Sequence, residues 1–131
     1  MSGNVLVVTT SRADRLLIQE ALQSADFDVT LALDGAEALL RLEMHPVDLV
    51  IADMTMPKVS GVELLQRLRS LDISVPVVLL VEDGPDKCAI EAFRAGAADV
   101  LRKEELTTEF PDALERVSDR LHDERRRRQA E

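Results

Sequence analysis

Residues 48–57 read Asp-Leu-Val-Ile-Ala-Asp-Met-Thr-Met-Pro, a short apolar run that ends in the carboxylate of Asp53 and is followed at once by a Met-Pro turn. Consecutive apolar residues bounded by polar residues and a proline are typical of a β-strand that is covered on both faces, as in a parallel sheet. Ligands collect at the carboxyl ends of parallel strands. Asp53 is therefore a candidate functional residue.

Apolar runs of this kind recur at regular intervals along the chain. Segments with helical spacing separate them, which predicts right-handed crossovers and an α/β domain of three layers. The expected fold is a doubly wound, five-stranded parallel sheet with the flavodoxin-like strand order 2-1-3-4-5. The second run alternates in side-chain size and should lie nearer an edge. The five runs are Val5–Val8, Val29–Leu33, Val47–Ala52, Val77–Val81 and Ala98–Leu101.

Helix starts are predicted at capping residues and at turns. Ser11, Asp34-Gly35, Ser60 and Gly84-Pro85-Asp86 should open the first four helices, and the fifth should run from about Thr108. The predicted buried positions are Leu16, Leu17, Ala21 and Leu22 in the first helix, Ala89, Ile90 and Phe93 in the fourth, and Leu106, Phe110, Leu114, Val117 and Leu121 at the last.

Length and composition narrow the classes of function. With 131 residues, the chain is expected to form one domain over residues 1–122, followed by a charged, helical tail over 123–131 that could be a linker. The formal charge of −9 argues against direct binding to nucleic acid. A single cysteine, no apolar run long enough to span a membrane and no secretory signal lead us to expect a cytoplasmic protein.

Side chains from four strand ends should meet where the strand order reverses. Asp53 follows the third strand, and Lys103 follows the fifth, from where it could reach the carboxylate. Such a pair resembles half of a phosphoryl-transfer site. The other half, two acids that hold a metal ion, would follow the first strand, but Thr9 and Thr10 stand there. Val81 and Glu82 come from the end of the fourth strand.

Several motifs, in order and at these separations, resemble the receiver domain of bacterial two-component response regulators, a phosphoacceptor module. The resemblance covers about Asn4 to Leu121. The motifs that carry it are Asp53-Met54-Thr55-Met56-Pro57 with Ser60-Gly61, then Val75-Pro76-Val77-Val78-Leu79-Leu80, and Gly96-Ala97-Ala98-Asp99-Val100-Leu101-Arg102-Lys103.

The resemblance implies roles for three residues. Asp53 takes the position of the carboxylate that accepts a phosphoryl group, and Lys103 takes that of the lysine which pairs with it and later with a phosphoryl oxygen. Thr55 lies where a backbone carbonyl helps to coordinate Mg²⁺.

Other positions depart from the family pattern. The acidic pair is replaced by Thr9 and Thr10, the switch hydroxyl by Val81, its small neighbour by Glu82, the switch aromatic by Val100, and the proline after the lysine by Glu104. Mg²⁺ requires oxygen ligands and usually one or two protein carboxylates, so Asp53 alone makes a poor metal site. Glu82 and Asp83 could replace the missing acids or simply lie in a solvated loop. The Asp53–Lys103 pair could be a structural ion pair or a working phosphoacceptor.

These departures predict a signalling module of a phosphorelay system that acts by protein–protein binding without phosphorylation, has no metal cofactor and is not an enzyme. The alternative is a functional receiver in which Asp53 is phosphorylated by a histidine kinase with Mg²⁺. Expected partners are a kinase, an output domain or another signalling protein, without direct nucleic-acid or membrane binding. A homodimer could form through the fourth helix, fifth strand and fifth helix (Lys87–Arg94, Val100–Arg102 and Thr108–Arg120). The chain could also be the N-terminal part of a larger regulator.

Overall fold

The computed structural model describes residues 3–56, 58–82, 87–104, 106, 110–112, 114–116 and 119, without the side chains of residues 87 and 88. Strands and helices alternate in this part of the chain: β1 (Gly3–Val8), α1 (Arg12–Ser24), β2 (Phe27–Ala32), α2 (Gly35–Met44), β3 (Leu49–Asp53), α3 (Gly61–Ser70), β4 (Val77–Val81), α4 (Lys87–Arg94) and β5 (Asp99–Arg102). Residues 106, 110–112, 114–116 and 119 are helical and are called the C-terminal helical residues below.

The five strands form one parallel sheet in the order β2-β1-β3-β4-β5. The predicted fold class and strand order are confirmed, and β2 lies at an edge as expected. The register aligns Val8 with Ala52 and Asp53 with Leu80, so the ends of the three central strands lie side by side. This alignment brings the residues after those strands to one edge of the sheet.

Two apolar layers cover the sheet. One contains the buried faces of α2, α3 and α4, and the other contains α1 with the C-terminal helical residues. Because both faces are covered, β3 and β4 are buried along their whole length. This double coverage explains the continuous apolar runs in the sequence.

Side-chain caps set the first residue of three helices. In each case a side-chain oxygen accepts a hydrogen bond from the backbone N–H three residues later, which satisfies a donor that the helix leaves free. The pairs are Ser11 with Asp14 at 3.2 Å, Asp34 with Glu37 at 2.8 Å, and Ser60 with Glu63 at 3.2 Å. The predicted caps at Ser11 and Ser60 are confirmed, and the predicted turn at Asp34-Gly35 contains the cap of α2.

Two predicted apolar faces were partly wrong. In α1, Leu22 is buried and Ala21 partly buried as predicted, but Leu16 and Leu17 are 54% and 37% exposed. The other buried residue of this helix is Ile18, which lies four residues before Leu22 on the face that packs on the sheet.

The apolar face of α4 was also predicted one step off. Ile90 and Phe93 are 51% and 48% exposed, Ala89 is partly buried, and among the described side chains of this helix the small Ala92 is the buried one. Leu106, Phe110 and Leu114 are buried as predicted. Pro57, the turn at 83–86, Thr108, Val117, Leu121 and the tail at 123–131 lie outside the described residues.

Candidate functional site

Asp53 is the last residue of β3 and lies at the centre of the candidate site. The loops beside it are tied to the sheet by backbone hydrogen bonds: Met54 N–H donates to the carbonyl of Leu80, and Lys103 N–H donates to that of Val81, both at 2.9 Å. Asp53 and Lys103 therefore start from fixed backbone positions on neighbouring parts of the sheet edge.

The carboxylate of Asp53 is only 2% exposed. Its Oδ2 accepts a hydrogen bond from the Thr9 hydroxyl at 2.5 Å, and its Oδ1 lies 3.2 Å from Lys103 Nζ. Among the described residues, Oδ1 has this ionic contact but no hydrogen bond of good geometry. Both oxygens thus face groups that favour an ionised carboxylate.

Thr9 is fully buried, and its hydroxyl connects two parts of the site. While the O–H donates to Asp53, the oxygen accepts the backbone N–H of Ser11 at 3.1 Å. The hydroxyl hydrogen is therefore directed at the carboxylate. The neighbouring Thr10 is exposed.

Burial raises the pKa of Asp53, and this effect outweighs the Thr9 hydrogen bond and the charge of Lys103, which both lower it; the charge of Asp14 raises it further. For Lys103, partial burial lowers the pKa, but the negative charge of Asp53 and contacts with Glu82 and Asp14 prevail and raise it above its ordinary value. The lysine is therefore a protonated cation at neutral pH.

The Lys103 ammonium contacts two further carboxylates. Asp14, in the first turn of α1, lies 3.2 Å away, and Glu82, just after β4, lies 3.1 Å away. Glu82 thus contacts Lys103, although its side chain is 72% exposed to solvent. When all three carboxyl groups are ionised, the single ammonium leaves two negative charges in the cluster uncompensated.

Sequence reasoning missed Asp14. The sequence prediction did not include it among the site residues. The available signal was its helical position: the first turn of a helix that starts directly at the sheet edge directs its side chains back over that edge.

The structure also describes the other predicted positions at this end of the sheet. Val81 is buried in the core, and Val100 is half-buried against the layer formed by α2, α3 and α4. The side chain of Thr55 is exposed in the loop after β3.

A close backbone approach fixes the loop that follows Asp53. Gly61 N–H donates to the carbonyl of Met54 at 2.9 Å. A Cβ atom at position 61 would lie 2.6 Å from the backbone carbonyl oxygen of Asp53. Only glycine therefore allows α3 to start this close to the end of β3.

A metal ion would have to share the site with the Lys103 ammonium, around which the described carboxylates gather. Among the described residues, no group of three or more His, Cys, Asp or Glu side chains is arranged to hold a metal. Mg²⁺ needs near-octahedral oxygen coordination. Here the Thr9 oxygen is occupied by two hydrogen bonds, and the cation between the carboxylates is the Lys103 ammonium.

No helix in the described ranges combines the length and the apolar character that a membrane span requires.

Comparison with known proteins places this geometry in context. A family model described as "Response regulator receiver domain" matches residues 5–115. "Probable transcriptional regulator ycf29" of Porphyra purpurea is 34% identical over 124 residues, which is 90% of this chain and 59% of that protein. "Chemotaxis protein CheY" of Bacillus subtilis (strain 168) is 30% identical over 104 residues, 79% of this chain and 87% of that one.

Among solved structures, a crystal structure of FixJ-N superposes with a TM-score of 0.76 at 29% identity, covering 88% of this chain and 93% of the other. The chain spans only part of the length of some curated relatives, 59% of the Porphyra protein and 43% of "Alkaline phosphatase synthesis transcriptional regulatory protein PhoP" of Bacillus subtilis.

Proposed function

The chain belongs to the response regulator receiver domain family, and from this premise we propose that it is a signalling module that binds another protein without being phosphorylated. One observation carries the proposal: both oxygens of the Asp53 carboxylate are already engaged, Oδ2 by the Thr9 hydroxyl and Oδ1 by the Lys103 ammonium. The candidate acceptor is therefore already bound by two side chains of its own domain.

Charge supports the same proposal. Phosphoryl transfer depends on neutralising the negative oxygens of the transferred group, a task that bound metal ions usually perform. When Asp14, Asp53 and Glu82 are all ionised, this cluster carries two more negative charges than the Lys103 ammonium balances. An incoming phosphodonor would bring further negative charge to the cluster.

The switch positions add a second argument. Val81 cannot donate a hydrogen bond to a phosphoryl oxygen, and Val100 has no aromatic ring whose rotation could report such a bond. We propose that the Asp53–Lys103 pair is an ion pair that maintains one conformation of the domain. The module has no catalytic turnover and no metal cofactor under this proposal.

The proposed partners are proteins: a kinase, an output domain or another signalling protein. Ile90 and Phe93 are about half exposed on α4, and they belong to the surface that α4, β5 and the C-terminal helical residues would offer to a partner or a second copy. Relatives named as transcriptional regulators are longer than the matched region, so an output segment attached to this domain is also a proposal.

The experiment compares the proteins that bind to wild type and to Asp53→Asn. Asparagine keeps the shape and the hydrogen-bonding capacity of the side chain but cannot form an acyl phosphate. Partners captured from the native cell are identified, and their affinities for both purified proteins are then measured. The proposal predicts that untreated wild type binds every captured partner and that treatment with Mg²⁺ and a small phosphodonor changes each affinity by less than about twofold, about 0.5 kcal/mol. Asp53→Asn under the same treatment is the control that cannot form an acyl phosphate, and weaker binding by the untreated variant reports the lost ion pair with Lys103. A partner that binds wild type only after phosphodonor treatment would contradict the proposal.

A second candidate is a working phosphoacceptor. It is favoured by the 3.2 Å contact between Asp53 and Lys103, the two residues whose positions match the acceptor and its lysine. This candidate requires Mg²⁺ or a kinase group to supply the missing positive charge. Detection of a phosphoryl group on Asp53 distinguishes it from the first.

A further inference from the structure

The ammonium of Lys103 lies among carboxylates from three separate elements. Asp14 comes from α1, Asp53 from β3 and Glu82 from the segment after β4, at 3.2, 3.2 and 3.1 Å. An ammonium group carries three N–H donors and no acceptor. Three anionic oxygens at these distances therefore surround the whole charged group.

The three contacts differ in strength because the carboxylates differ in exposure. The side chains of Asp53 and Asp14 are 2% and 19% exposed, and that of Glu82 is 72% exposed. Water screens an exposed pair and leaves it worth little, whereas a partly buried pair is screened much less. Asp14 is thus the main partner of Lys103 besides Asp53, and Glu82 is a minor one.

The position of Asp14 is fixed by the same residue that holds Asp53. Thr9 accepts the backbone N–H of Ser11, and the Ser11 side chain in turn accepts the N–H of Asp14 at 3.2 Å. The first turn of a helix also favours a carboxylate electrostatically. Thr9 therefore sets Asp53 directly and sets Asp14 through the start of α1.

We infer that Asp14 is a positioning residue of the site: it holds the Lys103 ammonium against the Asp53 carboxylate. Glu82 makes a weaker third contact with the same ammonium group. Asp14, in the first turn of α1, orients Lys103, and the Thr9 hydroxyl orients Asp53. The contacts of Asp14 and Lys103 do not depend on the proposed function. Only the role of these contacts in signalling rests on it.

The test measures how fast each lysine reacts with acetic anhydride. The chain has three lysines, Lys58, Lys87 and Lys103, so each acetylated site is resolved by peptide mass spectrometry. Lys58 is exposed and serves as the internal reference. Only the neutral amine reacts, so a carboxylate that stabilises the ammonium slows the reaction.

The variants are Asp14→Asn, Glu82→Gln and the matched control Glu63→Gln. Glu63 stands at the same helix position in α3, three residues after the Ser60 cap, as Asp14 does in α1. We expect Asp14→Asn to raise the acetylation rate of Lys103 relative to that of Lys58 by about tenfold, because lowering the pKa of the amine by about one unit makes its neutral form about tenfold more abundant. Glu82→Gln should raise it by about twofold, and Glu63→Gln should leave it unchanged.

The inference is overturned if Asp14→Asn changes the ratio no more than Glu63→Gln, or less than Glu82→Gln. A pH titration of the Lys103 ε-carbon NMR signal separates a lost contact from a lost fold, because an unfolded lysine titrates near its ordinary pKa of about 10.4. A Lys103 pKa in Asp14→Asn that equals the wild-type value also contradicts the inference. Phosphorylation of wild-type Asp53 would defeat the proposed function while leaving the labelling result to decide this inference by itself.

Discussion

Replacing Lys103 with methionine tests the electrostatics of the site in a quantitative way. Methionine retains much of the side-chain volume but removes the charge next to a carboxylate that is 2% exposed. Removing one partner of a buried ion pair costs about 3–5 kcal/mol because the other charge is left buried and unpaired. Lys103 is 21% exposed and Asp53 keeps the Thr9 hydrogen bond, so we expect a loss of stability at or just below the bottom of this range, about 2–3 kcal/mol at pH 7.

The loss should depend on pH in a defined direction. Burial already raises the pKa of Asp53 in the folded protein, and removing Lys103 removes a charge that lowers it, so the pKa rises further. A carboxyl group with a raised folded pKa binds more protons in the folded state than in the unfolded state, and stability then falls as pH rises through that pKa. The variant should therefore regain most of its lost stability below the ordinary Asp pKa of about 3.9, where Asp53 is protonated.

Urea unfolding followed by far-ultraviolet circular dichroism measures this effect, because the chain has neither Trp nor Tyr. The matched control is the double variant Lys103→Met/Asp53→Asn, in which the buried charge of Asp53 is removed together with its partner, and which should recover at least half of the loss at pH 7. A loss below about 0.5 kcal/mol at pH 7, the size of an ordinary surface substitution, would refute the reasoning. An equal loss at acidic and neutral pH would refute it as well.

Three further substitutions test other parts of the structure. Thr9→Val should destabilise the domain by about 1–3 kcal/mol in urea unfolding, because it leaves Asp53 Oδ2 buried without its donor, and Thr9→Ser should restore most of that; equal stabilities of Val and Ser variants would contradict this. Gly61→Ala should cost about 1–3 kcal/mol, since its methyl group would meet the Asp53 carbonyl at 2.6 Å, while Gln66→Ala on the exposed face of α3 should not. Ile90→Ser with Phe93→Ser should leave the unfolding midpoint within about 0.5 kcal/mol of wild type and abolish any concentration-dependent dimer seen by sedimentation; an unchanged dimer would place the self-contact elsewhere.

The fold was largely predictable from sequence because its strands are buried on both faces. Continuous apolar runs such as Val77–Val81 predict strands that are buried on both faces, and the caps at Ser11 and Ser60 predict where helices start. Which residues face inward was less predictable. The leucines at 16 and 17 are as apolar as Ile18, and it is the packing of α1 against the sheet that buries Ile18 and leaves the leucines exposed.

The site was predictable only in part, for a related reason. Asp53 and Lys103 follow strands, and parallel strands deliver their ends to one edge, so their proximity could be expected. Asp14 is one helical turn past the sheet edge, and its contact with Lys103 depends on the direction in which α1 leaves β1. The position of Asp14 in the first turn of α1 could have indicated that it lies near the edge, but its contact with Lys103 also depends on tertiary packing and on the Thr9–Ser11 hydrogen bond.

The central claim is that this receiver domain acts without phosphorylation of Asp53, and intact-protein mass spectrometry tests it most directly. Wild type and Asp53→Asn are incubated with Mg²⁺ and a small phosphodonor, and the spectra are searched for an adduct of about 80 Da, the mass added by phosphorylation. We predict no adduct on either protein. An adduct on wild type that is absent from Asp53→Asn would contradict the claim and identify Asp53 as a working phosphoacceptor.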